Sequence, residues 1–397
     1  MRRIALLLSL ALVFGSPSAS ATSLSQSAIP RVFTSLALAP EMADPSIILI
    51  DRSNSEVVYE YNSESMRKPA SVMKIFSAAA ALEYIEAEKR FTTTLSLGVK
   101  PGSVVFNGEL DPWIATSRNS AIADHRAWIG YLAGKAISAI KEQSGKSVQK
   151  IAIKYSGLYA EDVSELRKYF RAKGVITGAI AVPAGEIAQI TGEEIVSTRS
   201  PTLATMVGYA LMWSDNLLAE RLARLASQSA GNPLNDDGVS TTFHTLLDSL
   251  GIEDSDLRVH DGSGLSKANR VTAKMVGDLL IKLRNDPKFT VLYDGLPVGG
   301  VSGTLVDRFL KTAPEAVGLI RAKTGTLNGT VSLAGYVDST DRQYVFVVIA
   351  DQIPKTYAGT AKARATLDRT LAKIASPIIE SVPVLPIEDT TTAMSAA

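Results

Sequence analysis

The stretch KPASVMKIFSAAAALEYI, residues 68–85, has the composition of a helix that is buried on most of its faces. Alanine, methionine, leucine and isoleucine dominate it, and we expect a helix over 70–86 that begins just after Pro69. Ser71 and Lys74 stand three positions apart near its start, so a helix places both side chains on one face. The stretch therefore predicts a core helix that presents a hydroxyl and an amine side by side.

A hydroxyl and an amine in this arrangement suit nucleophilic catalysis. A serine hydroxyl is a poor nucleophile unless a neighbouring group takes its proton, and a lysine does so only when burial or another cation lowers its pKa. Free backbone N–H groups at the start of a helix also stabilise a developing oxyanion. We therefore interpret Ser71 as a candidate nucleophile and Lys74 as its candidate base.

The Ser-x-x-Lys spacing is a weak signal by itself. It recurs at three further places, Ser65/Lys68, Ser138/Lys141 and Ser147/Lys150. Only Ser71 combines a helix start with an apolar segment that can enter a core. The alternative interpretation of Ser71 is a helix-start serine beside an exposed lysine.

The tripeptide Ser214-Asp215-Asn216 forms a second candidate element, between two helical segments within 202–227. Serine and asparagine two positions apart can point into one cleft, where one relays a proton and the other holds an amide. We count Ser214 and Asn216 as candidate catalytic residues and Asp215 as a candidate substrate contact. The alternative is a helix N-cap, for which all three residue types are favoured, and Ser-x-Asn also occurs at 117–119.

The third element is Lys323-Thr324-Gly325, which occurs once and is followed by Thr326. It leads into two apolar segments, 331–337 and 344–350, that we expect to form adjacent strands. A strand edge of this kind offers a cation, a hydroxyl and a backbone that a ligand can approach, because glycine has no side chain. The alternative is a β-turn before a strand.

Composition excludes several classes of function. The 397 residues are 46% hydrophobic and 20% charged, which is typical of a globular chain. Lys+Arg is 41 and Asp+Glu is 40, so there is no basic footprint for nucleic acid. Without cysteine, thiolate metal sites and cysteine nucleophiles are excluded, and the three histidines lie far apart. We expect no metal and no organic cofactor.

The first residues resemble a secretory signal. Arg2 and Arg3 precede an apolar run, 4–14, that is too short to span a bilayer, and Ala19-Ser20-Ala21 is a small-residue cleavage pattern. We expect a signal peptide over 1–21, no stable membrane span and a mature enzyme in the periplasm or cell wall. A buried N-terminal helix or an uncleaved anchor is the alternative.

The order of predicted elements indicates an α/β (α+β) chain with an insertion. A hairpin at 46–61 and the helix at 70–86 precede a stretch of alternating strands and helices, which includes a helix at 123–143. We expect a catalytic domain formed by 22–90 and 196–375, with a smaller α/β domain at 91–195 inserted between the first two motifs. The tail, 376–397, is expected to be extended or disordered.

Ser-x-x-Lys, Ser-x-Asn and Lys-Thr-Gly in this order are the signature set of penicillin-binding proteins and serine β-lactamases. The chain resembles the class C low-molecular-weight penicillin-binding proteins, the D-alanyl-D-alanine carboxypeptidase/endopeptidase family. The likeness extends to VHDGSGLSKANRVTA at 259–273, LPVGGVSGTLVDRF at 296–309 and RAKTGTLNGTVSLAGYV at 321–337. It implies a penicillin-binding or β-lactamase-like domain, in which helices flank an antiparallel sheet and an inserted module separates the first two motifs.

The resemblance also implies a role for each motif residue. Ser71 would attack the carbonyl of an acyl-D-Ala-D-Ala stem peptide of peptidoglycan, and Lys74, kept neutral by the nearby charge of Lys323, would accept its proton. Ser214 would protonate the leaving amine and Asn216 would orient the substrate amide. The remaining implied contacts are with the substrate carboxylate, from Lys323 and Thr324, and with the oxyanion, from the N–H groups of Ser71 and Thr326 beside Gly325. β-Lactams would acylate the same serine.

One segment departs from the family pattern. A Gly-Gly-Gly-Asp-Pro segment is frequent in the family's insertion, whereas this chain has Gly-Glu-Leu-Asp-Pro at 108–112. Three alternatives to the carboxypeptidase remain at this point: a β-lactamase, a related serine esterase, and a non-catalytic protein that binds cell wall on the same fold.

Overall fold

The computed structural model describes residues 21–22, 28–339, 342–376 and 378–379. The signal peptide predicted for 1–21 therefore lies outside the described residues except for Ala21, and so does most of the predicted tail. A two-residue pairing joins Ala21–Thr22 to Ile378–Ile379. Within the described ranges, no helix has both the length and the apolar character needed to cross a membrane.

Two five-stranded sheets organise the described part of the chain. Their strands are β1 (Ser46–Asp51), β2 (Val57–Tyr61), β3 (Thr92–Gly98), β4 (Ser103–Gly108), β5 (Lys150–Ser156), β6 (Ile176–Ala181), β7 (Thr191–Arg199), β8 (Ile320–Leu327), β9 (Thr330–Asp338) and β10 (Gln343–Ala350). The first sheet has the order β2-β1-β10-β9-β8 and the second has the order β6-β5-β4-β3-β7.

The helices fall into the same two groups. They are α1 (Ile29–Ala37), α2 (Lys74–Tyr84), α3 (Arg118–Ala123), α4 (Ile129–Ser144), α5 (Ala160–Ala172), α6 (Ile187–Ile190), α7 (Leu203–Met212), α8 (Asn216–Ser229), α9 (Asp236–Ser249), α10 (Ala273–Asn285), α11 (Thr290–Gly295) and α12 (Tyr357–Ala375). Helices α3 to α6 lie between strands of the second sheet along the chain, and the other helices belong with the first sheet.

The first sheet is antiparallel and is covered on both faces. Alternate residues of β10 face opposite ways, so Val347 packs in one core with α2 and α7–α10, whereas Phe346 packs in another with α1 and α12. This double burial explains why 331–337 and 344–350 are strongly apolar segments. The antiparallel sheet flanked by helices confirms the predicted fold class.

Helix α2 lies at the centre of the core that it forms with α7–α10. It is buried from Lys74 to Leu82, and the short side chains of 78–81 allow α8 to pack closely against it. The prediction of a buried helix that begins near Ser71 is confirmed, with a 3₁₀ turn at Ala70–Met73 ahead of the α-helix.

The second sheet is mixed. Strands β4, β5 and β6 are parallel, while β3 pairs antiparallel with β4 and β7. Helices α4 and α5 cover it through an apolar core that contains Leu132, Phe170 and Phe106. The predicted helix at 123–143 begins too early. Its helical part is α4, which starts at Ile129, while α3 ends at Ala123 because the φ of +53° at His125 cannot continue a helix.

The two chain segments that connect the sheets lie side by side. The Phe91 carbonyl accepts a hydrogen bond from the Ser200 backbone N–H at 2.9 Å, and the Ser200 hydroxyl accepts one from the Phe91 N–H at 2.9 Å. The predicted end of the inserted domain, residue 195, falls inside β7, which pairs with β3 as far as Arg199. We therefore propose that the inserted unit spans 91–199.

Candidate active site

The nucleophile turn, which we define as 69–73, presents Ser71 ahead of α2. Ala70 has a φ of +50°, in the left-handed region that non-glycine residues rarely adopt. Nζ of Lys74, at the first position of α2, lies 3.0 Å from Oγ of Ser71. The structure therefore brings the predicted nucleophile and its predicted base into contact.

Two further acceptors surround the amine of Lys74. Nζ lies 2.7 Å from Oδ1 of Asn216 and 2.5 Å from the carbonyl oxygen of Ser263, and the residue is only 1% exposed. A neutral amine that donates to these two oxygens has its lone pair left for the Ser71 hydroxyl. This geometry suits an amine that accepts a proton from the serine.

Burial lowers the pKa of Lys74 to about 8, and the negative charges of Asp261, Asp215 and Glu220 limit the decrease. Burial, rather than the repulsion from Lys323 that the family resemblance implied, is therefore the main cause of the lowered pKa of Lys74. Lys323 itself is completely buried, and burial together with the charge of Lys74 lowers the pKa of Lys323 well below its ordinary value. A neutral fraction of Lys74 is consequently available near neutral pH.

Ser214 joins α7 to α8 in a strained conformation, with a φ of +58°. Its Oγ lies 2.8 Å from Nζ of Lys323, which also donates to the carbonyl of Thr324 at 2.9 Å. A buried amine therefore contacts the hydroxyl of Ser214, much as Lys74 contacts Ser71.

Asp215 does not join the predicted substrate-binding residues. Its Oδ1 accepts the backbone N–H of Leu218 at 2.9 Å, which makes Asp215 the N-cap of α8. The alternative interpretation of this motif as a helix cap therefore describes Asp215, whereas Ser214 and Asn216 on either side both line the cleft. The carboxylate still acts on the site at a distance, because it raises the pKa of Lys74.

The strand β8, which carries Lys323 to Thr326, is an edge strand of the first sheet. A Cβ at Gly325 would lie 2.0 Å from Oγ of Ser332 and 2.7 Å from the Pro69 carbonyl. Ser332 itself donates to that carbonyl at 2.7 Å. Glycine is therefore required here because the nucleophile turn packs directly on the strand, and the motif is not a β-turn.

Two residues near this strand were not identified from the sequence. Oγ1 of Thr304 lies 2.8 Å from Oγ1 of Thr324, and the guanidinium of Arg364 donates to Oγ1 of Thr326 at 2.7 Å. Thr324 and Thr326 are two positions apart on a strand, so their side chains share a face. No local pattern marks Arg364, which reaches the site from α12.

The loop 261–266 supplies a further element that the site prediction omitted. The Asp261 carboxylate accepts backbone N–H groups of Gly264, Leu265 and Ser266, which fixes the Ser263 carbonyl beside Lys74. The only sequence signal was the resemblance of the segment 259–273 to a family pattern.

These groups surround a cavity of about 450 Å³ that Ser71, Ser214, Asn216, Thr324 and Thr326 line, with Gly325 in its wall. The serines of the other three Ser-x-x-Lys pairs do not line it. Within the described part of the chain, no group of three or more His, Asp or Glu side chains is arranged to hold a metal ion.

A pair of buried amines, each bonded to a serine hydroxyl at the floor of one cleft, is suited to form and resolve an ester on one of those serines. On an antiparallel sheet flanked by helices, this chemistry defines the class of penicillin-binding proteins and serine β-lactamases.

A family model described as the D-Ala-D-Ala carboxypeptidase 3 (S13) family matches residues 34–143 and 137–374. The chain belongs to this family, which confirms the predicted class of enzyme, a serine-type D-Ala-D-Ala carboxypeptidase.

Individual relatives agree with this assignment. The carboxypeptidase DacB of Mycolicibacterium smegmatis is 28% identical over 374 residues, covering 81% of this chain and 80% of that protein. Penicillin-binding protein 4 (dacB) of Haemophilus influenzae, also solved in complex with a β-lactam, has a TM-score of 0.67 at 17% identity and covers 88% of this chain and 98% of its own. A predatory peptidoglycan endopeptidase of Bdellovibrio bacteriovorus has a TM-score of 0.60 at 15% identity, covering 85% and 94%. At these identities the structural likeness concerns the fold.

Proposed function

We propose that this enzyme removes the terminal D-Ala from peptidoglycan stem peptides through an acyl-enzyme on Ser71. The observation that carries the proposal is the 3.0 Å contact between Oγ of Ser71 and the buried amine of Lys74. The same chemistry on a cross-linked peptide would make it an endopeptidase, the activity named for the Bdellovibrio relative.

Acylation begins when the neutral amine of Lys74 takes the proton of the Ser71 hydroxyl. Oγ forms a bond to the carbonyl carbon of the penultimate D-Ala, and the carbonyl oxygen takes the negative charge. The backbone N–H groups of Ser71 and Thr326 receive that oxygen, and each such donor contributes about 10²–10³ in rate. The edge position of β8 supports this role, since one side of the strand lacks a strand partner in the described sheet.

The C–N bond then breaks and the amine of the leaving D-Ala needs a proton. The proton that Lys74 took from Ser71 reaches this amine by way of Ser214, whose hydroxyl gives one proton to the amine as it takes another up, so that Lys74 is neutral again. The amine of Lys323, 2.8 Å from Oγ of Ser214, supports that transfer. The carboxylate of the leaving residue binds at Thr324, beside the buried amine of Lys323. Asn216 holds Lys74 through its Oδ1 and offers its amide nitrogen to the substrate.

Water completes the cycle by attacking the ester carbonyl, which releases the shortened peptide and returns a proton to Ser71. A β-lactam acylates Ser71 by the same first step. No amine departs, because the nitrogen of the opened ring stays covalently attached to the acyl group. We therefore propose that β-lactams acylate Ser71 and inhibit the enzyme. We also propose export to the periplasm or cell wall, which the basic and apolar residues at 2–14 support.

The test is acylation by benzylpenicillin followed by mass mapping of the labelled peptide. We expect one adduct, on Ser71, and D-Ala release from a pentapeptide by the unlabelled enzyme. Ser71→Ala should abolish both. Ser138→Ala is the matched control, because Ser138 has the same spacing to a lysine but lies exposed on α4 outside the cleft.

The other functional classes predict different results. Rapid continuous hydrolysis of nitrocefin without D-Ala release would indicate a β-lactamase. Peptidoglycan binding that Ser71→Ala leaves intact, with no D-Ala release by the wild type, would indicate a non-catalytic binding protein. An adduct on any serine other than Ser71 would overturn the proposed mechanism.

A further inference from the structure

Gly262 is held between the two helices that carry the groups around Lys74. Its backbone N–H donates to Oε2 of Glu220 on α8 at 2.7 Å, and its carbonyl accepts the hydroxyl of Ser77 on α2 at 2.5 Å. Both backbone polar groups of this buried glycine are therefore satisfied by side chains, one from each helix. The next carbonyl along the loop, that of Ser263, is the one that accepts from Nζ of Lys74.

The spacing along each helix places these two side chains next to the active site. Ser77 follows Lys74 by three positions on α2, and Glu220 follows Asn216 by four positions on α8. Residues three and four positions apart share one face of a helix. Each helix therefore carries one group of the active site and, one turn further on, one group that contacts Gly262.

The loop packs directly on α8 at this glycine. A Cβ at Gly262 would lie 2.5 Å from Cβ of Ala223 and 3.0 Å from Oγ of Ser77. Only a residue without a side chain brings the loop backbone this close to the helix. The contacts of Gly262 therefore set the position of the loop relative to both helices.

The position of the Ser263 carbonyl matters because it orients the amine of Lys74. Nζ donates to that carbonyl and to Oδ1 of Asn216, which leaves the lone pair of the neutral amine for the hydroxyl of Ser71. If the carbonyl moves, the amine is free to rotate and its lone pair no longer faces the hydroxyl. A displacement of about 1 Å at a catalytic group costs about 10²-fold in rate.

The charge of Glu220 acts on the same amine. Burial lowers the pKa of Lys74, and the carboxylates of Asp261, Asp215 and Glu220 limit the decrease. Lys323 is the cation that interacts with Lys74. Loss of the Glu220 charge therefore lowers the pKa of Lys74 further, and this effect is separate from the position of the loop.

Glu220 also has a partner outside the loop. Its Oε1 accepts the Nε–H of Arg224 at 2.9 Å, one turn further along α8. Arg224 is itself paired with Asp236 at 2.7 Å. Because this second pair remains, replacing Glu220 does not leave the arginine without a carboxylate.

We propose that Glu220 and Ser77 are positioning residues of the reaction, which together clamp Gly262 between α8 and α2. This clamp keeps the Ser263 carbonyl against the amine of the catalytic base. Neither Glu220 nor Ser77 lines the cleft, so each acts through the loop and not on the substrate. The inference rests on the proposed acylation of Ser71.

Substitutions at Glu220 separate position from charge. Glu220→Ala removes both, and we expect its limiting acylation rate at high pH to fall about tenfold or more. Glu220→Gln keeps an oxygen for the N–H of Gly262, so it should recover most of that rate. In both variants the midpoint of the acylation rate against pH should be lower than in the wild type, because a charge that favours protonated Lys74 is lost. Stopped-flow acylation with a chromogenic β-lactam from pH 6 to 10 measures both quantities.

Two further variants complete the test. Ser77→Ala removes the donor to the Gly262 carbonyl without a change of charge, and should lower the limiting rate severalfold. Glu83→Ala is the matched control, because Glu83 is also partly exposed and pairs with Lys288 at 2.8 Å near the other end of α2. It should keep the wild-type rate and the wild-type midpoint. Circular dichroism of each variant establishes that it is folded.

The outcomes distinguish the two proposals. A wild-type enzyme that is not acylated on Ser71 contradicts the proposed function itself. Normal acylation of the wild type, with equal limiting rates for Glu220→Ala and Glu83→Ala, overturns only the clamp. A Glu220→Gln variant as slow as Glu220→Ala also overturns it, and so does a midpoint that neither substitution lowers. If Glu220→Ala does not fold, a wild-type midpoint in Glu220→Gln or a wild-type rate in Ser77→Ala overturns the clamp.

Discussion

Lys74 links the environment of one side chain to the pH dependence of the reaction. Its protonated form cannot accept the proton of Ser71, so only the neutral fraction supports acylation. Because burial lowers its pKa to about 8, we expect the acylation rate to rise as the pH increases through about 8 and then to level off. Stopped-flow acylation with a chromogenic β-lactam between pH 6 and 10 measures this midpoint.

The measured midpoint belongs to the pair of amines rather than to Lys74 alone, since Lys74 and Lys323 interact. The stability of the enzyme across the same pH range is the necessary control. A rate that falls as the pH rises from 6 to 8 would contradict the role of Lys74 as base.

At Gly325, the backbone of β8 lies very close to the backbone of the nucleophile turn. We expect Gly325→Ala to reduce acylation about 10²-fold, because the new Cβ displaces the nucleophile turn by overlapping Ser332 and the Pro69 carbonyl. Gly178→Ala is the matched control: Gly178 also lies in a strand, and a Cβ there meets nothing within 4 Å. Equal acylation rates for the two variants would show that the strand tolerates the side chain.

At the scale of elements, the start of α8 depends on Asp215. We expect Asp215→Ala to lower the free energy of unfolding by about 1 kcal/mol through loss of the helix cap. Asp215→Asn should retain most of that stability, because asparagine caps helices equally well. Urea denaturation measures the difference. Neither variant should raise KM for the pentapeptide substantially, and a large increase in KM for both would restore Asp215 as a substrate contact.

Elements with a strong periodic or apolar pattern could be predicted from the sequence, and others could not. Strongly apolar segments identified β9 and β10, since both faces of these strands are buried. The strand β7 was not predicted because it contains Glu193, Glu194 and Arg199 and is half-exposed along much of its length. Tertiary pairing with β3, rather than local pattern, holds it in the sheet.

The same contrast applies to the site. Ser71 and Lys74 share one helical turn, so their spacing carries information. Arg364 reaches Thr326 from a helix 38 positions further along the chain, and one arginine on a helix has no distinguishing local pattern. Burial as the main cause of the lowered pKa of Lys74 likewise became apparent only from the fold.

At the scale of the whole molecule, one buried ion pair connects the inserted unit to the catalytic helices. Arg221 of α8 lies 2.9 Å from Asp162 of α5, and both side chains are nearly buried. The guanidinium also stacks on the ring of Tyr159, 4.0 Å from its centroid. Because α8 begins with Asn216, which contacts Lys74, this pair connects the insertion with the helix that positions the base.

We expect Asp162→Ala to cost about 3–5 kcal/mol of unfolding free energy, since it removes the buried carboxylate that contacts Arg221 and leaves only the exposed Glu161, 3.8 Å away. Glu165→Ala breaks the exposed Lys168–Glu165 pair on the same helix and should cost about 0–1 kcal/mol. Chemical denaturation of both variants measures the contrast. Equal costs would mean that the buried pair does not anchor the insertion.

The reciprocal hydrogen bonds between Phe91 and Ser200 hold together the two segments by which the chain enters and leaves the inserted unit. A unit attached in this way can be lengthened, shortened or exchanged without redirecting any strand of the catalytic sheet. A transplanted module would have to present two adjacent chain ends, a carboxylate that meets Arg221, and an apolar side chain in the place of Trp113, which packs against Tyr209 of α7.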